Sequence, residues 1–491
     1  MPESLKHKTV KGVSWSFVEQ ILTRGVNFVI GIILARLLSP TDYGLVGLLG
    51  IFLAVSQLFI DGGLASALIR EKNATEEDFS TVYIINLVLS LFFYLLLFFV
   101  APEVANFYGQ PLLAPLMRVV ALILVIGSLA SVQGTLLTIR VDFRTKSIIS
   151  VVGSLVSGVV GIVFAYKGFG VWALVAQSLA SALVATLLTL AFVRWWPRLV
   201  FSAKSFKKLF AYSSKLLVAS LISVIYDNAY PMVIGKRFST ADVGQYSRAG
   251  QFPGIANSTI TGALNRVAFP ILSQIQDDDQ RLLGVYEKYI QLSSFLIFPL
   301  ILFICGCARP LVSLLLTDKW LACVPLMQII CFSMLTTGIT TINLNLLYVK
   351  GRSDLVLRLE IIKKTLAFTI LFVSMFFSIE IMCLGQVLYS FVALYLNTFY
   401  TKRILGYTFG QQMKAILPYF LLSLVVLAEA LAISHFFTTH WVSLLVSAVV
   451  CPLTYLLLAK SFHLYAYREA RELIKTKYGS AAKSLCHRSR L

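Results

Sequence analysis

The sequence predicts an all-α polytopic membrane protein with about fourteen transmembrane helices, arranged as two pseudo-symmetric six-helix lobes plus two C-terminal helices, with N and C termini cytoplasmic. Three observations carry this expectation. Apolar residues make up 58% of the 491 positions and charged residues only 13%, about half the charged share of a soluble domain. Apolar stretches of about 20 residues, enough to cross the hydrocarbon core as a helix, recur along the whole chain. Finally, Ala35-Arg36-Leu37-Leu38-Ser39-Pro40-Thr41-Asp42-Tyr43-Gly44 returns two hundred positions later as Gly235-Lys236-Arg237-Phe238-Ser239-Thr240-Ala241-Asp242-Val243-Gly244. The match continues in register through Gly50 and Gly250, Phe52 and Phe252, Gly62 and Gly262.

Taken in order, the first six spans fall near 13–37, 42–68, 79–100, 115–138, 146–166 and 171–193. They make an N-lobe over residues 1–200. Ala101–Pro115, broken by Pro102, Gly109, Pro111 and Pro115, is expected to lie at the outer interface rather than to span. A basic, aromatic connection follows, Arg194-Trp195-Trp196-Pro197-Arg198 with Lys204, Lys207 and Lys208, suited to anionic headgroups or to fixing topology alone. The C-lobe, 201–405, holds spans near 210–235, 243–272, 286–308, 320–348, 357–378 and 381–400. Two extra helices occupy 406–460, and 461–491 is a basic cytoplasmic tail. With the N-terminus inside, most of the 42 Lys and Arg fall on cytoplasmic loops, which accounts for the net charge of +19 through the positive-inside rule without invoking nucleic acid. Both lobes then start inside with an even helix count, so the repeats are parallel.

Each copy of the repeated motif contains Ser-x-x-Asp, a capping box in which Ser39 with Asp42, and Ser239 with Asp242, satisfy the first amides of a new helix. Pro40 fits the first helical position. Gly44 and Gly244 complete the motif, which marks organisation rather than chemistry.

Candidate chemistry lies on polar faces inside spans, where polar groups are costly unless they meet protein or water. Ser16, Gln20, Thr23 and Asn27 share one face of the first helix, beside Glu19 and Arg24. The second offers Gln57 and Asp61, and the seventh Ser220, Ser223 and Asp227. The eighth carries Ser247, Gln251, Gly254, Ser258, Thr261 and Asn265, flanked by Arg248 and Arg266. The first two helices of each half thus carry polar faces, and the expectation is a shared hydrophilic cavity at the pseudo-twofold axis. A mid-membrane arginine costs roughly 2.5 to 3.5 kcal/mol. Two compatible arrangements offset this cost: Arg24 or Arg248 pairs internally with Asp227, Asp61 or Glu19, and Arg24, Arg248 and Arg266 hold an anionic ligand, since guanidinium binds phosphate bidentately. Asp61, Asp227 and Glu429 are candidates for a coupling ion.

Other classes are excluded. There is no G-x-x-x-x-G-K-[ST] loop for direct ATP use, no loop large enough for a catalytic domain, and no catalytic residue, cofactor or metal site is expected. The seven cysteines have no metal-ligand spacing. Asp277-Asp278-Asp279 reads as a solvated charge run. The first apolar segment, interrupted by Glu19 and Arg24, is expected to stay as a helix rather than to be cleaved.

Residues 35–44, together with Asp61-Gly62-Gly63 and Phe107-Tyr108-Gly109 before Leu116-Met117-Arg118, resemble the Wzx-type polysaccharide flippases, particularly the colanic acid and teichuronic acid exporter branch. The resemblance covers most of the chain, most strongly residues 10–150. It implies the multidrug/oligosaccharidyl-lipid/polysaccharide flippase superfamily, two lobes around a cationic cavity, alternating access, and a place in the bacterial inner membrane. By the same resemblance the substrate partner is an undecaprenyl-diphosphate-linked oligosaccharide amid membrane lipids. Its diphosphate would meet Arg24, Arg248 and Arg266, and polysaccharide polymerase or export machinery would stand nearby. The rival readings are a multidrug cation antiporter of the same superfamily, which an acidic or aromatic cavity would favour, and an integral-membrane glycan polymerase, which would need a large outer loop.

Overall fold

The computed structural model describes residues 22–71, 73–198, 200–469 and 471–472. Among these every regular element is helical. The chain divides into two compact units, one ending at Ser247 and the other beginning at Arg248.

In the first unit α1 (22–37) leads into α2 (Pro40–Asp61), α3 (Leu64–Arg70), α4 (Glu76–Tyr108), α5 (Leu113–Val120), α6 (Leu122–Ser128) and α7 (Ser131–Ile139). Next come α8 (Phe143–Tyr166), α9 (Trp172–Phe192), α10 (Ala203–Arg237) and the start of α11 (Thr240–Gln274). The second unit continues α11 and adds α12 (Asp279–Gly306), α13 (Ala308–Leu316), α14 (Cys323–Met334), α15 (Thr337–Val349) and α16 (Ser353–Ser374). It ends with α17 (Ile379–Leu405), α18 (Phe409–Phe436) and α19 (His440–Ser461).

Nine stretches among the described residues are long and apolar enough to cross a membrane, or ten if the pair Leu113–Ser128 and Ser131–Ile139, bent by 45°, is one span. The helices at the expected seventh, eighth and eleventh spans fall outside that set for a chemical reason. α10 and α11 carry the polar stripes, and α16 carries Arg358, Glu360, Lys363 and Lys364. Much of the expected first span, including Glu19, lies outside the described residues.

Large apolar side chains point outward, as in Phe99 at 72% exposure and Phe436 at 80%. An unbroken set of such residues would be an aggregation hazard in water and is the normal lipid face of a membrane protein. The interior is built from small and branched residues. In the first unit Leu64, Leu68, Val82, Val132, Leu136 and Ile149 form one core, and Ile30, Leu34, Ala165 and Leu174 another. Gly158 lets α8 approach α1 so closely that a Cβ there would stand 2.1 Å from Ile30. In the second unit α12 packs along α18, and α17 packs against α14 and α16.

One expectation is overturned. The chain is not broken at Pro102: Ala101–Tyr108 is the end of the 33-residue α4, which runs through Pro102 and stops at Gly109, whose φ of +64° ends the helix. Proline at position 102 leaves the Phe98 carbonyl without its usual amide donor. Arg118 Nε donates to that carbonyl at 3.2 Å while its guanidinium lies 4.6 Å above the Phe98 ring, so the helix continues. The second unit repairs Pro299 in α12 the same way: Tyr455 of α19 donates its hydroxyl to the Phe295 carbonyl at 3.1 Å. Partners of this kind are what allow proline inside transmembrane helices.

Candidate functional site

Both copies of the repeated motif form capping boxes. Asp42 N–H donates to Ser39 Oγ at 3.2 Å and Ser39 N–H to Asp42 Oδ2 at 2.8 Å. The corresponding distances at Ser239 and Asp242 are 3.1 and 3.0 Å. Pro40 sits in the first turn of α2.

The boxes start two helices that cross at their first turns. A Cβ placed on Gly44 would stand 1.7 Å from the Thr240 carbonyl oxygen, and one on Gly244 would stand 2.0 Å from the Pro40 carbonyl oxygen. Each glycine therefore meets the first helical residue of the other copy. Only a bare Cα fits at either position. Gly47 extends the crossing: a methyl group there would stand 3.1 Å from Val243 and 3.5 Å from Ser247. Gly235 opens space for Leu48 in the same way.

Of the candidate polar residues in the first unit, Arg24, Asn27, Asp61 and Asp227 are exposed on helix surfaces. Gln57 donates to Asp61 at 2.9 Å, one helical turn along α2. Asp61 stands where α2 breaks: Gly62 and Gly63 take φ of +48° and +72°, values that favour glycine. Thr23 and Ser150 hydroxyls are 3.3 Å apart, joining α1 to α8.

In the second unit Arg248 is buried, with 6% exposure. Its guanidinium donates to Gln251 and lies 5.6 Å from the ring centre of the fully buried Trp320, a cation–π contact on a desolvated ring. Arg266 is exposed on α11. Next to it Asn345 donates to Asn265 at 2.8 Å, which joins the Thr- and Asn-rich α15 to the α11 stripe at that point. No group of three His, Cys, Asp or Glu stands close enough to hold a metal among the described residues. Six cysteines are buried and free; Cys486 lies outside the described residues.

Two features have no visible signal in the sequence. Trp320, far from Arg248 in the chain, gives that arginine its neighbour. A second is a wholly buried polar cluster joining α12, α15, α17 and α18. Tyr286 donates to Asn343, Gln412 Nε2 donates to Tyr286 Oη at 3.0 Å and to Asn343 Oδ1 at 3.1 Å, and Asn343 Nδ2 donates to Thr398 at 3.2 Å. Single isolated Tyr, Asn, Gln and Thr residues in apolar helices give no sign that they will meet.

Comparison with known proteins gives the same class. A family model described as polysaccharide biosynthesis protein matches residues 33–325. The chain is 29% identical over 334 residues, 68% of each chain, to the succinoglycan biosynthesis transport protein ExoT of Rhizobium meliloti strain 1021. It is 24% identical over 360 residues, 72% of this chain and 73% of the relative, to the teichuronic acid biosynthesis protein TuaB of Bacillus subtilis strain 168. Its fold is similar to that of the lipid II flippase MurJ in an inward closed conformation, with a TM-score of 0.75 at 15% identity, covering 95% of this chain and all of that one. With the family model spanning more than half of its residues, this helical membrane chain belongs to the polysaccharide biosynthesis protein family.

Proposed function

We propose that the protein is a transporter, not an enzyme: a flippase that carries an undecaprenyl-diphosphate-linked oligosaccharide from the inner to the outer leaflet of the bacterial cytoplasmic membrane for export of a surface polysaccharide. Membership of the polysaccharide biosynthesis family is the observation that carries this reading. The transport role that ExoT carries in its name and the fold likeness to a lipid flippase support it.

The proposed organisation is fourteen spans with both termini cytoplasmic, in lobes over 1–200 and 201–405, followed by helices over 406–460 and the basic tail. Exposed guanidiniums at Arg24 and Arg266 would bind the diphosphate. Arg248, held on Trp320 and Gln251, would add positive potential from a fixed position. Asn27, Asp61, Asp227, Gln251 and Glu19 would line the hydrophilic path, with the carboxylates as places for a coupling ion. In this topology the α2/α11 crossing stands at the outer end of its helices, and its separation would open the path outward. Release by rocking about such a crossing is alternating access.

Deletion of the gene followed by mass spectrometry of membrane lipids tests the function. The expected result is accumulation of a diphosphate-linked oligosaccharide lipid. Sensitivity to cationic dyes with no such lipid would replace the reading with drug antiport. For the site, Arg24→Ala, Arg248→Ala and Arg266→Ala are each expected to lower glycan export at normal expression, with lysine restoring part of it. Full complementation by all three alanine variants would remove the arginines from the path.

A further inference from the structure

Where the two sequence halves join, the first unit holds an apolar groove that the transport reading does not use. It has a volume of 480 Å³ and is lined by, among others, Phe59, Ile84, Val88, Phe201, Phe210 and Leu217, within the range of about 300 to 1,000 Å³ typical of small-molecule sites. It lies between α2, α4 and α10. Phe206 and Phe210 stack with centres 5.2 Å apart on its α10 side.

The connection 194–202 is not a loose linker. Trp195 Nε1 donates to Glu76 at 2.9 Å, Arg198 N–H to Ser80 at 3.1 Å and Ser202 N–H to Thr81 at 3.0 Å. These bonds strap it across the start of α4 and fix one end of the groove. The strap leaves Trp196 72% and Phe201 54% exposed, the placement of aromatic side chains at a membrane interface.

That end is basic. Arg194, Arg198, Lys204 and Lys207 are exposed. Of the nearby acids, Glu71 is paired with Lys208 at 2.8 Å, Glu76 accepts from the Trp195 indole, and Asp78 closes the Thr75 capping box, leaving Glu77. From Phe206 to Val218 the groove follows thirteen residues of α10, twelve steps that rise about 18 Å at 1.5 Å per residue. This is close to the depth of one leaflet, half of a hydrocarbon core about 30 Å thick.

We infer that this groove binds one anionic diacyl phospholipid, with an acyl chain along Phe210, Val88 and Leu217 and the phosphate at Lys204 and Lys207. A groove one leaflet deep that ends at exposed lysines matches an acyl chain with a surface phosphate. An undecaprenyl tail is far longer than the groove.

Native mass spectrometry of the full-length purified chain tests this, using phosphatidylglycerol and phosphatidylcholine with identical acyl chains. The wild type is expected to retain one phosphatidylglycerol with on the order of tenfold preference. In Lys204→Gln/Lys207→Gln, two exposed positions, the preference is expected to vanish. In Val88→Trp, a lipid-facing position 60% exposed, retention of either lipid is expected to be lost. Equal retention of both lipids by the wild type, or unchanged preference in the lysine variant, would show ordinary annular lipid and overturn the inference. Displacement of phosphatidylglycerol by equimolar undecaprenyl phosphate would overturn it in favour of the substrate tail. Should Val88→Trp not elute as a single species, the lysine variant decides alone.

Discussion

Proline at 102 and at 299 leaves the same mark, a main-chain carbonyl one turn earlier with no amide to accept from, and in each case one side chain on another helix takes over. A buried carbonyl without a donor costs about 1 to 3 kcal/mol. Tyr455→Phe keeps the ring and removes only the donor, so it should lower thermal stability in detergent by that amount, and Tyr455→Phe with Pro299→Ala should restore it. Gln412, wholly buried among Tyr286, Asn343 and Thr398, belongs to the same logic. Gln412→Leu strands several buried partners at once and is expected to destabilise by at least as much in the same melting measurement. Pro102 reads as a breaker in the sequence because the donor that compensates for it, Arg118, lies on another helix and nothing in the spacing pairs it with the Phe98 carbonyl.

At the scale of helices, caps and periodic polar faces were legible, because both follow from spacings of three and four along one chain. Ser239→Ala is expected to cost about 0.5 to 2 kcal/mol through loss of the α11 cap. Contacts between helices were not legible: the strap over 194–202 read as a linker, yet three hydrogen bonds hold it to α4. Next to it Lys208 ties α10 to Glu71, and this hydrogen bond holds the Glu71 carboxyl below its ordinary value of 4.5 and the lysine above its own. A carboxyl with a lowered folded-state pKa adds stability that is complete above its ordinary value and fades as pH falls through the folded value. The amide protection factor at the start of α10, the intrinsic exchange rate divided by the observed one, should therefore be flat above about pH 5 and fall in acid. Lys208→Gln should show the low protection factor at every pH, and raised salt should blunt the difference because the pair is exposed.

For the whole molecule, the membrane class and the duplicated motif were visible in composition and in a register of two hundred residues. What the motif's glycines touch was not, because a capping box reads as purely local. The structure places Gly44 on Thr240 and Gly244 on Pro40. Gly44→Ala and Gly244→Ala should each force the helices apart, at about 1 to 3 kcal/mol, and reduce export in a complementation assay more than Gly250→Ala, where a Cβ meets nothing within 4 Å. A methyl at Gly47 would lie 3.5 Å from Ser247 Oγ, near the separation that a disulfide requires. Gly47→Cys with Ser247→Cys should cross-link on oxidation and halt export until reduced, if parting of this crossing is a step in transport.

Because each glycine of the crossing abuts the opening residue of the other copy, neither decapeptide is a spare part. A substitution that a lone motif would tolerate is felt here by its twin.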